Sequence, residues 1–129
     1  MELADVDVQA TVAVKDLDAA KKFYEETLGL KRDARQGMEE QGVVSYRCGG
    51  ATLTVYESRF AGTNQATGAT WSVRDDLSGV VKDLAAKGVK FEHYDMPGMK
   101  LEGDVHVAGD SKAAWLKDPD GNILALVGR

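Results

Sequence analysis

The stretch "DVQATVAVKDLDAAKKFYEETLGLK", residues 7–31, decides the fold. Its first part alternates strictly, which predicts a half-buried strand over residues 8–14. Asp16 is a predicted helix N-cap, and apolar residues at helical spacing follow it. Gly29 is a natural helix terminator. One face of the strand holds only small or polar residues, namely Gln9, Thr11 and Ala13. Such side chains leave open space above this face.

The same pattern returns later in the chain. Three predicted strands, at 30–36, 42–48 and 51–57, follow the first helix. The segment "TWSVRDDLSGVVKDLAAKGVKF", residues 70–91, then repeats the order strand, Asp, helix, Gly, strand. A shift of 59 residues aligns the strand and helix of the two halves without a gap, and a shift of 71 aligns their last strands. The matched pairs include Thr11 with Thr70, Asp16 with Asp75, Gly29 with Gly88, and Leu53 with Leu124.

This repeat predicts an α+β fold of two βαβββ units. We expect a single domain over residues 1–129, with unit one at about 5–58 and unit two at about 67–128. The difference between the shifts gives unit two twelve extra residues, which fall in the Gly-rich stretch 95–112.

In each predicted unit the helix covers one face of the strands and leaves the other face open. By alternation, Leu53 and Val55 pack under the first helix, and Trp71 is predicted to be core under the second. The turn "KDPDGN", residues 117–122, is interpreted as structural, because Pro119 sets φ and Gly121 accepts a positive φ. The open faces are predicted to carry Thr52, Thr54 and Tyr56 in unit one, and Gly68, Thr70, Ser72, Ile123, Ala125 and Val127 in unit two.

Composition excludes several classes of function. The net charge is −5 and no basic stripe stands out, so nucleic acid is not an expected partner. No apolar run approaches membrane length, and the first residues lack a signal-peptide pattern. Cys48 is the single cysteine, which fits a reducing compartment. We therefore expect a cytoplasmic protein.

The segments "VAVKDLDAAKKFYEETLGLK", residues 12–31, and "WLKDPDGNILALV", residues 115–127, resemble the vicinal oxygen chelate superfamily of glyoxalase I, bleomycin-resistance proteins and extradiol dioxygenases. The resemblance implies a curved eight-stranded sheet around a U-shaped groove, and a homodimer. Many members hold a divalent metal in the groove with His, Glu or Gln ligands. The corresponding positions here are Gln9, Thr54, Gly68 and Ala125.

These four residues predict that the metal site is absent, since one neutral amide oxygen, a hydroxyl and two positions without donors do not make a transition-metal site. We expect no cofactor. The groove is predicted to bind a small molecule without chemistry, as bleomycin-resistance proteins do. Its predicted lining residues are Gln9, Thr11, Thr52, Thr54, Tyr56, Thr70, Trp115 and Ala125.

Two alternatives remain open from the sequence. One is a glyoxalase-like lyase, isomerase or dioxygenase-type enzyme with relocated catalytic groups, drawn from Gln9, Glu57, Glu92, His93 and His106. The other is a degenerate subunit that acts through protein contacts. Further groove candidates are Tyr46, Arg47, Met96 and Met99, with residues 95–111 as either a lid or an ordinary surface loop.

Overall fold

The structure is a computed structural model that describes residues 1–5, 7–33 and 39–129. The chain forms two compact units, residues 1–63 and 64–129. Unit one has strands β1 Ala10–Val14, β2 Lys31–Arg32, β3 Val43–Cys48 and β4 Ala51–Glu57, helix α1 Leu17–Lys21 continued by a π-helical segment Lys22–Thr27, and 3₁₀ turns Leu3–Asp5 and Glu39–Gln41. Unit two has strands β5 Thr67–Ser72, β6 Phe91–Glu92, β7 Lys100–Glu102, β8 Val105–Ala108, β9 Ser111–Lys117 and β10 Ile123–Gly128, with helix α2 Leu77–Ala86.

The predicted α+β fold with repeated βαβββ units is confirmed. The sheet of unit one has the order β1-β4-β3-β2, and that of unit two runs β5-β10-β9-β8-β7, with β6 also paired to β9. Strand β1 pairs with β4 in parallel, and Thr11 is the partner of Thr54. Strand β5 pairs with β10 in parallel, and Thr70 is the partner of Ala125. The shift of 59 residues maps β1 onto β5, and the shift of 71 residues maps β4 onto β10, so the two sequence shifts together relate the two parallel strand pairs.

The described residues form ten strands where eight were expected. The extra pair is the antiparallel hairpin β7–β8, built from the additional residues of unit two, with Gly103 at φ 63° in its turn. Strand β8 continues the sheet by pairing with β9. The stretch predicted as a lid or loop at 95–111 is thus partly regular sheet. The strand predicted at 30–36 is limited to Lys31–Arg32, and its residues 34–36 lie outside the described part of the chain.

Helix α1 begins where the sequence predicts. The carboxylate of Asp16 accepts hydrogen bonds from the backbone N–H groups of Asp18 and Ala19 at 3.0 and 3.2 Å, which satisfies donors at the helix start. After the last helical turn, Gly29 takes φ 74°.

The core of each unit lies between its helix and its sheet. Leu53 and Val55 are 2% and 1% exposed, and Leu124 and Leu126 are 0% and 5% exposed, which confirms the predicted helix side of β4 and β10. Trp71, the partner of Leu126, has the predicted parity but is only half-buried.

Tyr46 lies on the helix side and not on the open face that the sequence suggested for it. Its ring is fully buried and stacks on Tyr24 of the helix with centroids 6.0 Å apart. Its hydroxyl donates to Glu25 Oε2 at 2.8 Å, where Arg32 also donates from Nε at 2.9 Å. Burial raises the pKa of Tyr46, and its hydrogen bond to the Glu25 carboxylate adds to the shift. The network ties the helix to β2 and β3.

The turn between β9 and β10 is held by Asp118, which is 5% exposed. Its Oδ1 accepts from the N–H groups of Asp120 and Asn122 at 2.9 Å each, and its Oδ2 accepts from Asn122 Nδ2 at 2.8 Å. Gly121 has φ 87°. The carboxylate is thus used inside the turn, as the structural interpretation of "KDPDGN" predicts.

We expect Tyr46→Phe to lower the free energy of unfolding by about 1–2 kcal/mol, because it removes a buried hydrogen bond to a charged group. Tyr56→Phe is the matched control, since Tyr56 is 39% exposed on the opposite face of the same unit, and its effect is expected within about 0.5 kcal/mol. Urea denaturation of the three proteins measures both values. Equal effects of the two substitutions would contradict the assigned role of Tyr46.

Candidate functional site

The open face of unit one carries the residues that the sequence assigned to it. Cross-strand partners share a face, and the ladder pairs Thr54 with Thr11 and Ser45, and Tyr56 with Ala13. Thr11 is exposed, Thr54 is half-buried and Tyr56 is exposed. This face is therefore lined by hydroxyl groups and one aromatic ring.

Gln9 stands immediately before β1 on this face. Its Oε1 accepts a hydrogen bond from the Thr54 hydroxyl at 3.2 Å. In the described part of the chain its amide nitrogen has no hydrogen-bond partner, so the NH₂ group remains a donor for another molecule.

A cavity of about 400 Å³ opens beside Gln9. Thr52 and Arg47, which pair across β4 and β3, line it together with Asp7 and Val8. The cavity thus brings together one amide, one hydroxyl, one guanidinium and one carboxylate. Of the predicted groove residues, Gln9 and Thr52 lie in its wall.

The open face of unit two is more aromatic. Ala125 pairs with Thr70 on one side and Trp115 on the other, so these three predicted groove residues share a face. Thr70 is exposed, Trp115 is half-buried and Ala125 is 3% exposed. Glu92, the partner of Trp115, extends the row and lies 3.4 Å from Lys117 Nζ.

His106 is 1% exposed and packs edge-on against Trp115, with ring centroids 4.9 Å apart. Its Nε2 accepts from the backbone N–H of Tyr94 at 2.9 Å. The same Nε2 also lies 3.2 Å from the carbonyl oxygen of Tyr94. Among the described residues Nδ1 has no partner, and neither does the buried hydroxyl of Tyr94. Burial raises the pKa of Tyr94, and the charge of Glu92 adds to the shift.

His93 occupies a different environment. Its Nε2 lies 2.8 Å from Asp104 Oδ1, and both side chains are about half exposed, at 49% and 41%. The rings of His93 and His106 are 6.5 Å apart and nearly perpendicular. The sequence left a joint role of these histidines open; the structure places them as neighbours, one paired with a carboxylate and one enclosed by aromatic rings.

The sequence analysis did not identify Tyr94 as a candidate residue, and it did not predict that His106 is buried. The available signal was the alternation in "GDVHVAG", residues 103–109, where Val105 and Val107 flank His106 between glycines. That pattern is typical of a hairpin strand, and it places His106 on a defined face.

The family sequence model of the Glyoxalase/Bleomycin resistance protein/Dioxygenase superfamily matches residues 8–126 of this chain. The chain belongs to this superfamily. No curated protein matches the sequence significantly.

Solved structures resemble the chain over nearly its whole length. An integron cassette protein from the mobile metagenome of the Halifax Harbour sewage outfall is 19% identical, with a TM-score of 0.70, covering 94% of this chain and 96% of that one. The fosfomycin resistance protein FosX of Listeria monocytogenes is 13% identical, with a TM-score of 0.70 and coverages of 96% and 93%. Lactoylglutathione lyase of Agrobacterium tumefaciens is 19% identical, with a TM-score of 0.70 and coverages of 98% and 96%. At these identities the likeness shows the fold alone.

The four positions that correspond to superfamily metal ligands do not fit a divalent metal. Gln9 offers one neutral oxygen, already bonded to Thr54, while Gly68 has no side chain and Ala125 has only a methyl group. Zinc and its neighbours require several imidazole, thiolate or carboxylate donors. Within residues 1–5, 7–33 and 39–129, no three His, Cys, Asp or Glu residues come together as a metal-binding group.

No helix in the described ranges is long and apolar enough to cross a membrane.

Proposed function

We propose that this protein binds a small organic molecule on the open faces of its sheets without a metal ion, as a homodimer in the cytoplasm. The observation that carries the proposal is the state of Gln9. Its amide oxygen is taken by Thr54, its amide nitrogen is available, and its counterparts at the other ligand positions offer no strong donor. Such a residue is suited to orienting a ligand by hydrogen bonding.

The composition of the open faces supports binding. Small-molecule sites are usually apolar and aromatic walls with a few polar anchors. In unit one, Gln9, Thr52 and Arg47 supply polar anchors around a cavity. In unit two, taken by itself, Trp115 gives the open face an aromatic wall. The names of the structural neighbours suggest the first probes, namely fosfomycin and other antibiotics.

A thermal-shift screen tests the proposal, because a ligand that binds the native state raises its melting temperature. The screen contains antibiotics, including fosfomycin and bleomycin, together with Zn²⁺, Ni²⁺, Mn²⁺ and Fe²⁺ salts. We expect an organic hit that persists in chelator. Tight stoichiometric metal in the purified protein, measured by plasma emission, would overturn metal independence.

Gln9→Leu is expected to weaken binding of such a hit about three- to tenfold, since it removes one hydrogen-bond donor to the ligand. Gln41→Leu makes the same change at an exposed site elsewhere in unit one and is expected to leave affinity unchanged. Calorimetric titration gives both dissociation constants. If Gln9→Leu and Gln41→Leu behave alike, Gln9 has no part in the site.

A second candidate function is a glyoxalase-like enzyme with relocated groups, and the His93–Asp104 pair favours it. A carboxylate 2.8 Å from an imidazole fixes the orientation of the ring, as in general-base catalysis. The relevant substrates include hemithioacetals and thioesters, as the name of the neighbouring lactoylglutathione lyase suggests.

Under this second function, His93→Ala and Asp104→Asn are each expected to reduce turnover at least about 100-fold. Asp110→Asn, an exposed carboxylate elsewhere in unit two, serves as the control and is expected to keep full activity. A coupled assay over a panel of hemithioacetals, thioesters and epoxides measures the rates. No turnover by the wild-type chain, or equal rates in all variants, would rule the enzyme out.

A further inference from the structure

A cavity of about 840 Å³ lies in unit two, at the C-terminal ends of β5 and β10 and the N-terminal end of β9. The cavity includes residues of both strand parities: Ser72, Val127 and Ala113 form a row of partners on the open face, and Lys112 pairs with Gly128 in the adjacent row. Met99, from the segment before β7, forms part of the wall. His106 is the next partner in this row, beside Ala113. The row from Ser72 to Ala113 is therefore made of small side chains, and it borders the aromatic cluster of Trp115.

The rim of this cavity is basic although the chain as a whole carries −5. Arg74, Lys112 and Arg129 line it, together with Asp75. In the part of the chain that the structure describes, none of the three cations makes an ion pair, whereas Lys21, Arg32 and Lys117 all do. An excess of basic side chains around one cavity favours the binding of an anion.

The backbone at Arg74 is held in a conformation that side chains rarely adopt. Arg74 is the one non-glycine residue with positive φ, 59°, among the described residues. Its carbonyl oxygen accepts from the N–H of Arg129 at 2.6 Å, and a β-carbon on Gly128 would overlap that same oxygen. The end of β10 thus fixes Arg74 at the rim. Strain of this kind concentrates at functional sites, where the surrounding structure maintains it.

The repeat supplies an internal comparison. Unit one has an equivalent cavity of about 560 Å³ lined by Lys15, Glu57, Ser58 and Arg59. At the two sequence shifts, Lys15 corresponds to Arg74 and Glu57 corresponds to Gly128. Unit one therefore places a carboxylate where unit two has glycine. Since the same fold accommodates an acidic group at this point, the basic rim of unit two is not a requirement of the fold.

We propose that the cavity of unit two binds a small organic anion, with its carboxylate or phosphonate group held by Arg74, Lys112 and Arg129. The apolar body of the anion lies on Ala113, Val127 and Met99. The volume suits a small ligand. The inference rests on the proposed function, because it assigns a charge class to the molecule that the open face binds.

Calorimetric titration with benzoate, phenylphosphonate, inorganic phosphate and neutral benzamide tests the site. We expect 1:1 binding of benzoate or phenylphosphonate, weakening with added salt, and benzamide affinity at least about tenfold lower. The stronger of the two anions identifies the headgroup. Phosphate alone is expected to bind more weakly, because it lacks the apolar body. Failure of both aromatic anions to bind below about 10 mM, a limit of roughly 3 kcal/mol, overturns the inference.

The double variant Arg74→Gln, Lys112→Gln removes two charges and keeps polar, unbranched side chains. It is expected to raise the dissociation constant of the anion at least about tenfold, because each change removes a charge-assisted hydrogen bond. Lys82→Gln, an exposed charge on α2 that does not line the cavity, is the control and is expected to change affinity less than twofold. Equal affinities in the double variant and the control place the anion elsewhere and overturn the site.

The two proposals fail in different ways. An antibiotic hit that is weakened by Gln9→Leu but not by the double variant keeps the proposed function and overturns the anion site. Anion binding that is lost in the double variant supports the site even when every antibiotic in the thermal-shift screen fails. If neither the screen nor the anions give binding, both proposals fall.

Discussion

The parallel pairing of the first and last strands of each unit is the constraint on which the rest of the structure depends. Parallel neighbours cannot be joined by a tight turn, and in each unit the helix and the other strands lie between them along the chain. The pairing also fixes register, and a slip by one residue would exchange the two faces of a strand. With Thr11 opposite Thr54 and Thr70 opposite Ala125, the apolar side chains lie under the helices and the small or polar ones remain open.

This register explains why a polar face persists in a small protein with limited core. In unit one, hydroxyl and amide groups satisfy each other, as Thr54 and Gln9 do, and bury no uncompensated charge. On the helix side of that unit, Glu25 accepts from both Tyr46 and Arg32. Unit two distributes its charge differently, with unpaired cations in the described structure at the end of β5 and β9. The same fold thus presents two chemically distinct surfaces.

Much of the fold could be predicted because it is written in local patterns that occur twice. The N-cap at Asp16, the helix end at Gly29 and the turn around Asp118 depend on neighbouring residues, and their sequence signals are strong. The parity of Leu53, Val55, Leu124 and Leu126 follows from alternation alone. Candidate site residues on the same strands, such as Thr54 and Ala125, inherit that parity.

What the sequence could not provide depends on contacts between distant segments. The side of the sheet occupied by Tyr46 is decided by a partner on the helix, Tyr24, and by a carboxylate 21 residues away, Glu25. The hairpin β7–β8 lies in residues that have no counterpart in unit one, so the repeat gave no template for it. The basic cavity joins residues 72, 74, 75, 99, 111–113 and 127–129, whose proximity only the sheet order creates.

The length and charge of the outer strands β2 and β7 affect how copies of this chain can associate. Strand β2 has two residues and β7 has three, and all five are exposed, four of them charged: Lys31, Arg32, Lys100 and Glu102. Short charged strands at a sheet margin resist the addition of a further strand from another molecule. Copies of this chain are therefore discouraged from joining edge to edge at β2 and β7, which guards against the open-ended stacking that leads to aggregates.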